Sequence, residues 1–294
     1  AENAIAEKAT PGCQILIAKD GNIFFKKSYG YHTYDEKIAV KNSDIYDLAS
    51  ITKIGATVPV LMQMVDDGNL DLDEKLGAYI PLDSSDKNDL VIREILSHQS
   101  KLYPWIPFYK KTLQKDSVSG IMRLRDTLYS KFESEEYPIK VADGIYLHVQ
   151  FSDSIDQQIK ESELLENKDY CYSDLGYYFF KKLIESKYKK KLNNIVEEQF
   201  YKGLGMENLG YLPLGRINPN RIIPTEFDYE FRSQLLKGYV HDMGSAMQGG
   251  VGAHAGLFSN ANDLAKLMQM YLQNGEYAGE QYLSKEVLKE FTLY

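Results

Sequence analysis

Three observations predict a mixed α/β fold for this 294-residue chain. They are two β-rich runs joined by a tight turn near the start, an apolar helical pattern opening at residue 50, and a long middle of short helices and polar loops. Residues 14–18 and 23–29 are β-rich, and Lys19-Asp20-Gly21-Asn22 between them carries the Asp-Gly pair of a hairpin turn. Two antiparallel strands therefore open the fold. Ile54, Val58, Leu61, Met62 and Val65 recur at helical spacing, and Asp66-Asp67-Gly68 ends that helix on a glycine. Pro59 lies inside it and is expected to kink it, because the ring removes a backbone donor and crowds the Gly55 carbonyl.

From about residue 72 to 220 the pattern is mainly helical, with apolar spacing at 91–96, 175–183 and 195–201 and no repeat period or Gly/Ser linker. This stretch reads as an insertion packed on the first unit. The basic cluster at 187–191 reads as a solvated helix end. A glycine-rich run at 249–256 precedes a helix expected over about 261–273.

Composition bounds the function. With 44% hydrophobic and 26% charged residues the chain can bury a substantial core, which excludes disorder. A formal charge of -8 repels phosphate backbones and argues against nucleic acid, so a neutral or cationic partner fits better. Cys13 and Cys171 are too few for a disulfide framework and read as buried small hydrophobes. No apolar run approaches the roughly 20 residues of a membrane helix, and the first ten residues lack the pattern of an export signal.

No phosphate-binding loop, H-E-x-x-H, paired C-x-x-C or G-x-S-x-G is present. Gly250, Gly252 and Gly256 fall one residue off the dinucleotide fingerprint, so no cofactor or metal is expected. What remains is Ser50-Ile51-Thr52-Lys53 where a loop enters a helix. Residues three apart share a helix face, so the Lys53 nitrogen can lie against the Ser50 hydroxyl. Serine is a weak nucleophile until a base takes its proton, and a helix start disfavours a positive charge, so Lys53 can be that base. The free backbone N–H of Ser50 can stabilise an oxyanion.

Tyr172-Ser173-Asp174 stands before an apolar helical run in the middle of the chain. With Asp47 to Lys53 it resembles the serine β-lactamase and penicillin-binding-protein superfamily, in its class C-like branch of esterases and D-amino-acid peptidases. Two further stretches are similar to segments of that family. These are Ile95-Leu96-Ser97-His98-Gln99-Ser100, with Lys101 where the family has glycine, and Gly256-Leu257-Phe258-Ser259 followed by Asp263-Leu264-Ala265. Trp105 to Tyr109 and Val240-His241-Asp242 look like the serine-hydrolase domain attached to family 3 glycoside hydrolases in Bacteroidetes.

The resemblance implies a β-lactamase/transpeptidase-like α+β fold. An antiparallel sheet flanked by helices would come from about 1–75 and 225–294, with an inserted mainly helical subdomain at about 76–224. It implies Ser50 as nucleophile, Lys53 as base and Tyr172 as proton relay, with Asp174 and His254 as substrate-binding candidates. Asp174 stands where the family has asparagine and cannot, as a carboxylate, donate to a substrate carbonyl, which favours neutral esters or amides over β-lactams. The third family motif is expected beyond residue 294, His254-Ala255-Gly256 being the alternative in its place. His98 and His241 are expected to make local structural hydrogen bonds. The function implied is serine hydrolysis of a small-molecule ester or amide. Alternatives are a cell-wall D-amino-acid peptidase or β-lactamase, and a non-catalytic module of a glycosidase. A linked glycoside hydrolase domain and a bacterial periplasm or envelope location are further expectations.

Overall fold

Local turn chemistry decides the start of the chain. The computed structural model describes residues 1–118 and 120–292. After a short helix, α1 (Glu2–Ala6), strands β1 (Gly12–Lys19) and β2 (Asn22–Gly30) pair antiparallel around Asp20 and Gly21, both at positive φ, the primed-turn geometry that suits a twisted hairpin. Gln14 ties the hairpin down. Its amide donates to the carbonyls of Lys41 and Asp44 at 2.7 and 2.8 Å, and its oxygen accepts the Ala261 N–H at 3.0 Å.

Strand β3 (Tyr46–Asp47) leads into the first long helix. Residues Lys53–Thr57 form a π-helical turn that runs into α2 (Val58–Asp66), which stops at Gly68 with φ 66°. Pro59 sits in the first turn of α2, so the predicted kink falls where the helix changes its hydrogen-bond pattern and a missing N–H costs least.

The middle is less helical than the sequence suggests. Between α3 (Ile92–Leu96) and α4 (Phe151–Glu161), β4 (Leu113–Lys115) pairs with β5 (Met122–Leu124), and β8 (Ile145–Leu147) lies between β6 (Tyr129–Ser130) and β7 (Ile139–Ala142). Strands of two to four residues are too short to show alternation, which leaves turn dipeptides such as Asp143-Gly144 as their signal. Helix α5 (Leu175–Tyr188) and α6 (Leu192–Val196), continued by a π-helical turn at Glu197–Tyr201, match the helical spacing. The 187–191 lysines are exposed at their junction.

The remainder returns to the nucleophile helix through β9 (Phe227–Asp228) and β10 (Gln234–Leu235), α7 (Met243–Ala246) and β11 (Phe258–Ser259), which pairs antiparallel with β3. Helix α8 (Ala261–Leu272), the hairpin β12 (Glu276–Tyr277) and β13 (Glu280–Gln281), and α9 (Lys285–Thr292) follow. One core joins Val60 and Met64 of α2, Phe180 and Ile184 of α5, Leu267 of α8 and Leu288 of α9. Each such buried side chain contributes about 1.5–3 kcal/mol, which fixes α2 as the shared support of the early and late segments. Cys13 and Cys171, expected to be buried, are half-buried. Among the described residues no helix is long and apolar enough to cross a membrane.

Candidate active site

The turn carrying Ser50 is held by its neighbours on both sides. Asp47 accepts the Ala49 N–H at 2.8 Å with one carboxylate oxygen and the His241 N–H at 2.7 Å with the other. Burial pushes the Asp47 carboxyl above its usual range, against the pull of these two donors. Ala49 takes φ 45°, a left-handed conformation that a non-glycine residue adopts at a cost, and the strain falls on the residue before the nucleophile. Ser50 is exposed and its backbone N–H has no partner among the described residues, which leaves a donor for an oxyanion.

The glycine-rich run is a buried strap across this helix. Leu257 donates to Thr52 Oγ1 at 3.0 Å and its carbonyl accepts the Leu48 N–H at 2.8 Å, while Thr57 Oγ1 donates to the Ala253 carbonyl at 2.7 Å. Gly256 has φ 126°, and a Cβ there would lie 2.6 Å from the Gly250 carbonyl oxygen, so the strap could not pass with a side chain.

Lys53 is 5% exposed and donates to three oxygens: Ser50 Oγ at 2.9 Å, Tyr172 OH at 2.7 Å and Asp174 Oδ1 at 2.6 Å. An ammonium has three protons, so this set satisfies it completely. The Ser50–Lys53 and Lys53–Tyr172 contacts are those that the S-x-x-K spacing and the tyrosine motif predict. The Asp174 contact is not. The sequence reading made this carboxylate a substrate-binding candidate, and one of its oxygens forms an ion pair with Lys53.

Segment 171–175 is pinned to the loop after α3. Cys171 donates to the His98 carbonyl at 2.9 Å, Ser173 donates its N–H to His98 Nδ1 at 3.1 Å and its hydroxyl to the Tyr103 carbonyl at 2.6 Å, and Asp174 N–H reaches the Pro104 carbonyl at 2.9 Å. The His98 ring lies 4.4 Å from the Tyr172 ring. His98 thus has the structural role expected, and what it positions is the tyrosine. Burial first, then the nearby Lys53 charge, holds its imidazole below the usual histidine value, with Asp174 opposing. Ser50, Lys53, His98 and Tyr172 line a cleft of about 800 Å³ whose rim includes Arg93, Glu94 and Glu290.

His254, a substrate-binding candidate, is 2% exposed and is engaged in the protein. Its Nε2 meets Asp242 Oδ1 at 2.8 Å, and its ring stacks on Tyr178 at 4.8 Å. It makes no bond to Lys53 and lines a second cleft together with Trp105, Phe108, Asp174 and Asp242. His241 reaches Glu226 at 2.7 Å, again a local bond. Sequence reasoning quoted Asp47 and Asp242 within family-like segments but gave neither a role, because their partners lie far along the chain or on a loop without a pattern. Among the described residues no group of three or more His, Cys, Asp and Glu side chains is placed to hold a metal ion.

Comparisons with known proteins bear on the family and the fold. The family model described as Beta-lactamase matches residues 1–292. A protein of Escherichia coli K12 carrying the provisional name D-alanyl-D-alanine carboxypeptidase is 30% identical over 308 residues, covering 96% of this chain and 64% of the relative. The chain thus spans just under two thirds of that relative's length. Among solved structures, the octameric penicillin-binding protein homologue of Pyrococcus abyssi superposes with TM-score 0.68 at 21% identity, covering 98% of this chain and 57% of the other. The D-amino acid amidase of Ochrobactrum anthropi SV3 gives 0.66 at 15% identity, covering 98% and 71%. These two likenesses speak for the fold, and the match over nearly every residue speaks for descent: the chain belongs to the beta-lactamase family.

Proposed function

We propose that this chain is a serine hydrolase that forms an acyl-enzyme on Ser50 and hydrolyses an ester or amide. The observation that carries the reading is the single lysine nitrogen within hydrogen-bond reach of both the Ser50 and Tyr172 oxygens. With a proton first lost from Lys53 to solvent in the cleft, the neutral amine accepts the Ser50 hydroxyl proton as Oγ bonds to the substrate carbonyl carbon. The carbonyl π pair moves to its oxygen, beside the free Ser50 N–H. Collapse of the intermediate breaks the bond to the leaving group, which takes a proton from Tyr172, and Tyr172 regains one from Lys53. Water then repeats the sequence on the ester. Segments 1–75 and 225–294 as the α/β part, with 76–224 inserted, frame the cleft in this reading.

The test is intact-mass analysis after exposure to a fluorophosphonate and to a penicillin. A fluorophosphonate adduct that is absent in Ser50→Ala is the expected result. An adduct that survives Ser50→Ala overturns the assignment, and no adduct with either probe favours a non-catalytic accessory module. A penicillin adduct favours the second reading, a cell-wall D-amino-acid peptidase or β-lactamase, which the name of the Escherichia coli relative supports. That name also motivates the proposed envelope location, which cell fractionation would test. A covalently linked glycoside hydrolase domain rests on the sequence resemblance, and the mass of the native protein would test it.

A further inference from the structure

Beside the nucleophile cleft lies a smaller one of about 160 Å³, walled by Trp105, Phe108 and Tyr178 and lined by Asp174, Asp242 and His254. Roughly 150 Å³ holds a benzene ring, so this space takes one ring or a short alkyl chain. Asp174 lines this smaller cleft, and its ion-pair partner Lys53 lines the larger one. The Asp174 Oδ1 is taken by Lys53, while its Oδ2 accepts no hydrogen bond from any described residue. Asp242 is similar. Its Oδ1 accepts from Ser245 N–H at 2.6 Å and meets His254 at 2.8 Å, and its Oδ2 is free among the described residues. Burial pushes the Asp242 carboxyl up, but His254 and the Ser245 N–H outweigh it and hold the group at about 2, so it is ionised at working pH.

A third polar atom points the same way. His254 is 2% exposed and its Nδ1 is buried without a partner. Its Nε2 is taken by Asp242, so Nδ1 is the ring's unengaged polar atom. Among the described residues, the unpaired side-chain polar atoms at this cleft thus include two carboxylate oxygens and an imidazole nitrogen. The cations close by, Lys53 and, when protonated, His254 and His241, are each already engaged with a carboxylate. Asp47 and Glu226 stand behind through His241, so the surrounding charge stays negative. A donor-rich cation with an apolar body fits: the carboxylates attract it, and aromatic walls attract a cation over their faces.

Resting on the hydrolase reading above, we propose that this cleft receives the acyl group of the substrate and selects one that carries a primary ammonium on an apolar body. Asp174 then has two duties on its two oxygens, Lys53 on one side and substrate ammonium on the other. This separates the chain from a carboxylate-recognising site, for which these acids would be repulsive.

Matched probes test it: the p-nitroanilides of phenylalanine, in both enantiomers, and of 3-phenylpropanoic acid, which differ by the ammonium alone. At about pH 6 the α-amine is protonated. Wild type is expected to favour one phenylalanine enantiomer over the uncharged analogue by about tenfold or more in kcat/KM, which is about 1.4 kcal/mol. Asp174→Asn, whose fold is checked by circular dichroism, should cut that ratio by about tenfold. Fluorophosphonate labelling of Ser50 is measured alongside. A wild-type ratio near one with Ser50 labelled overturns the ammonium assignment and leaves the hydrolase reading standing. Failure to label Ser50 overturns the hydrolase reading, and this inference with it. Because the wild-type ratio alone decides, the outcome does not depend on the variant folding.

Discussion

Replacing Lys53 by methionine, Asp174 by asparagine, and both together separates what the ion pair does for the fold from what it does for the chemistry. The partners lie 2.6 Å apart with side-chain exposures of 5% and 24%. At an effective dielectric of about 20, unit charges at that distance attract by about 6 kcal/mol, and desolvation of both ions takes back much of it. A coupling of about 2 kcal/mol or more is therefore expected, the low end of close pairs in shielded sites. Lys53→Met alone leaves a half-shielded carboxylate without its cation and should cost about 2–4 kcal/mol of stability. The double variant should recover a good part of that, because asparagine carries no charge to strand. Hydrolysis should behave differently: lost by about 2 to 4 orders of magnitude in Lys53→Met and not restored in the double variant, since no base remains. Urea unfolding followed by fluorescence and circular dichroism gives the first quantity, and p-nitrophenyl ester turnover the second. Stability losses that add within about 0.5 kcal/mol would refute the ion pair as an energetic unit. Hydrolysis that survives Lys53→Met would refute the lysine as base.

Three further predictions concern the supports of the site. His98 is held below its usual value in the fold, so as pH falls the unfolded chain takes the proton first. The stability His98 permits is thus complete above about pH 6.5 and is lost as pH drops from there toward the folded value. Calorimetry from about pH 8 to 5 should show a smaller loss of Tm in His98→Asn, whose amide oxygen can still accept from Ser173; an equal or larger loss would refute the assignment. Lys101 takes φ 63°, so Lys101→Gly should stabilise by up to about 1 kcal/mol as left-handed strain is relieved; a drop in the urea midpoint would count against it. At Gly176, in the first turn of α5, a Cβ would meet Ile95 Cγ2 at 2.2 Å. Gly176→Ala should therefore cost about 1–3 kcal/mol and slow ester turnover by shifting Tyr172, and an unchanged Tm would show that α3 and α5 are not locked there.

What the sequence made legible was what is decided within a few residues. The hairpin follows from Asp20-Gly21, and the reach from Lys53 to Ser50 follows from three residues of helix. The short strands between Leu113 and Leu147 follow from pairing across loops, and two or three residues of strand carry no period to read. The glycine-rich run was visible as a run, but its purpose lies in the closeness of Gly256 to Gly250 under the nucleophile helix, a contact that only the closed fold creates. Lys101 was visible as a departure from a family glycine. Its left-handed backbone gives that departure its meaning, because glycine adopts φ 63° without the strain that a lysine side chain brings.

Asp174 is the sharpest case. Its identity pointed correctly to a changed electrostatic character, and its spacing from Tyr172 placed it at the site. Its direction could not be read, because that depends on Pro104 holding the Asp174 N–H and on Lys53, 121 residues earlier, offering a third proton. An asparagine in the same position would face the lysine with a neutral amide oxygen. The carboxylate instead completes a charged set of three acceptors, and its second oxygen remains for the neighbouring cleft. A one-atom difference from the family pattern thus changes two things at once, the charge beside the base and the charge presented to substrate. Substitution at Asp174 should accordingly move the stability cycle and the ammonium preference together, whereas substitution at Trp105, which lines only the smaller cleft, should move the preference alone.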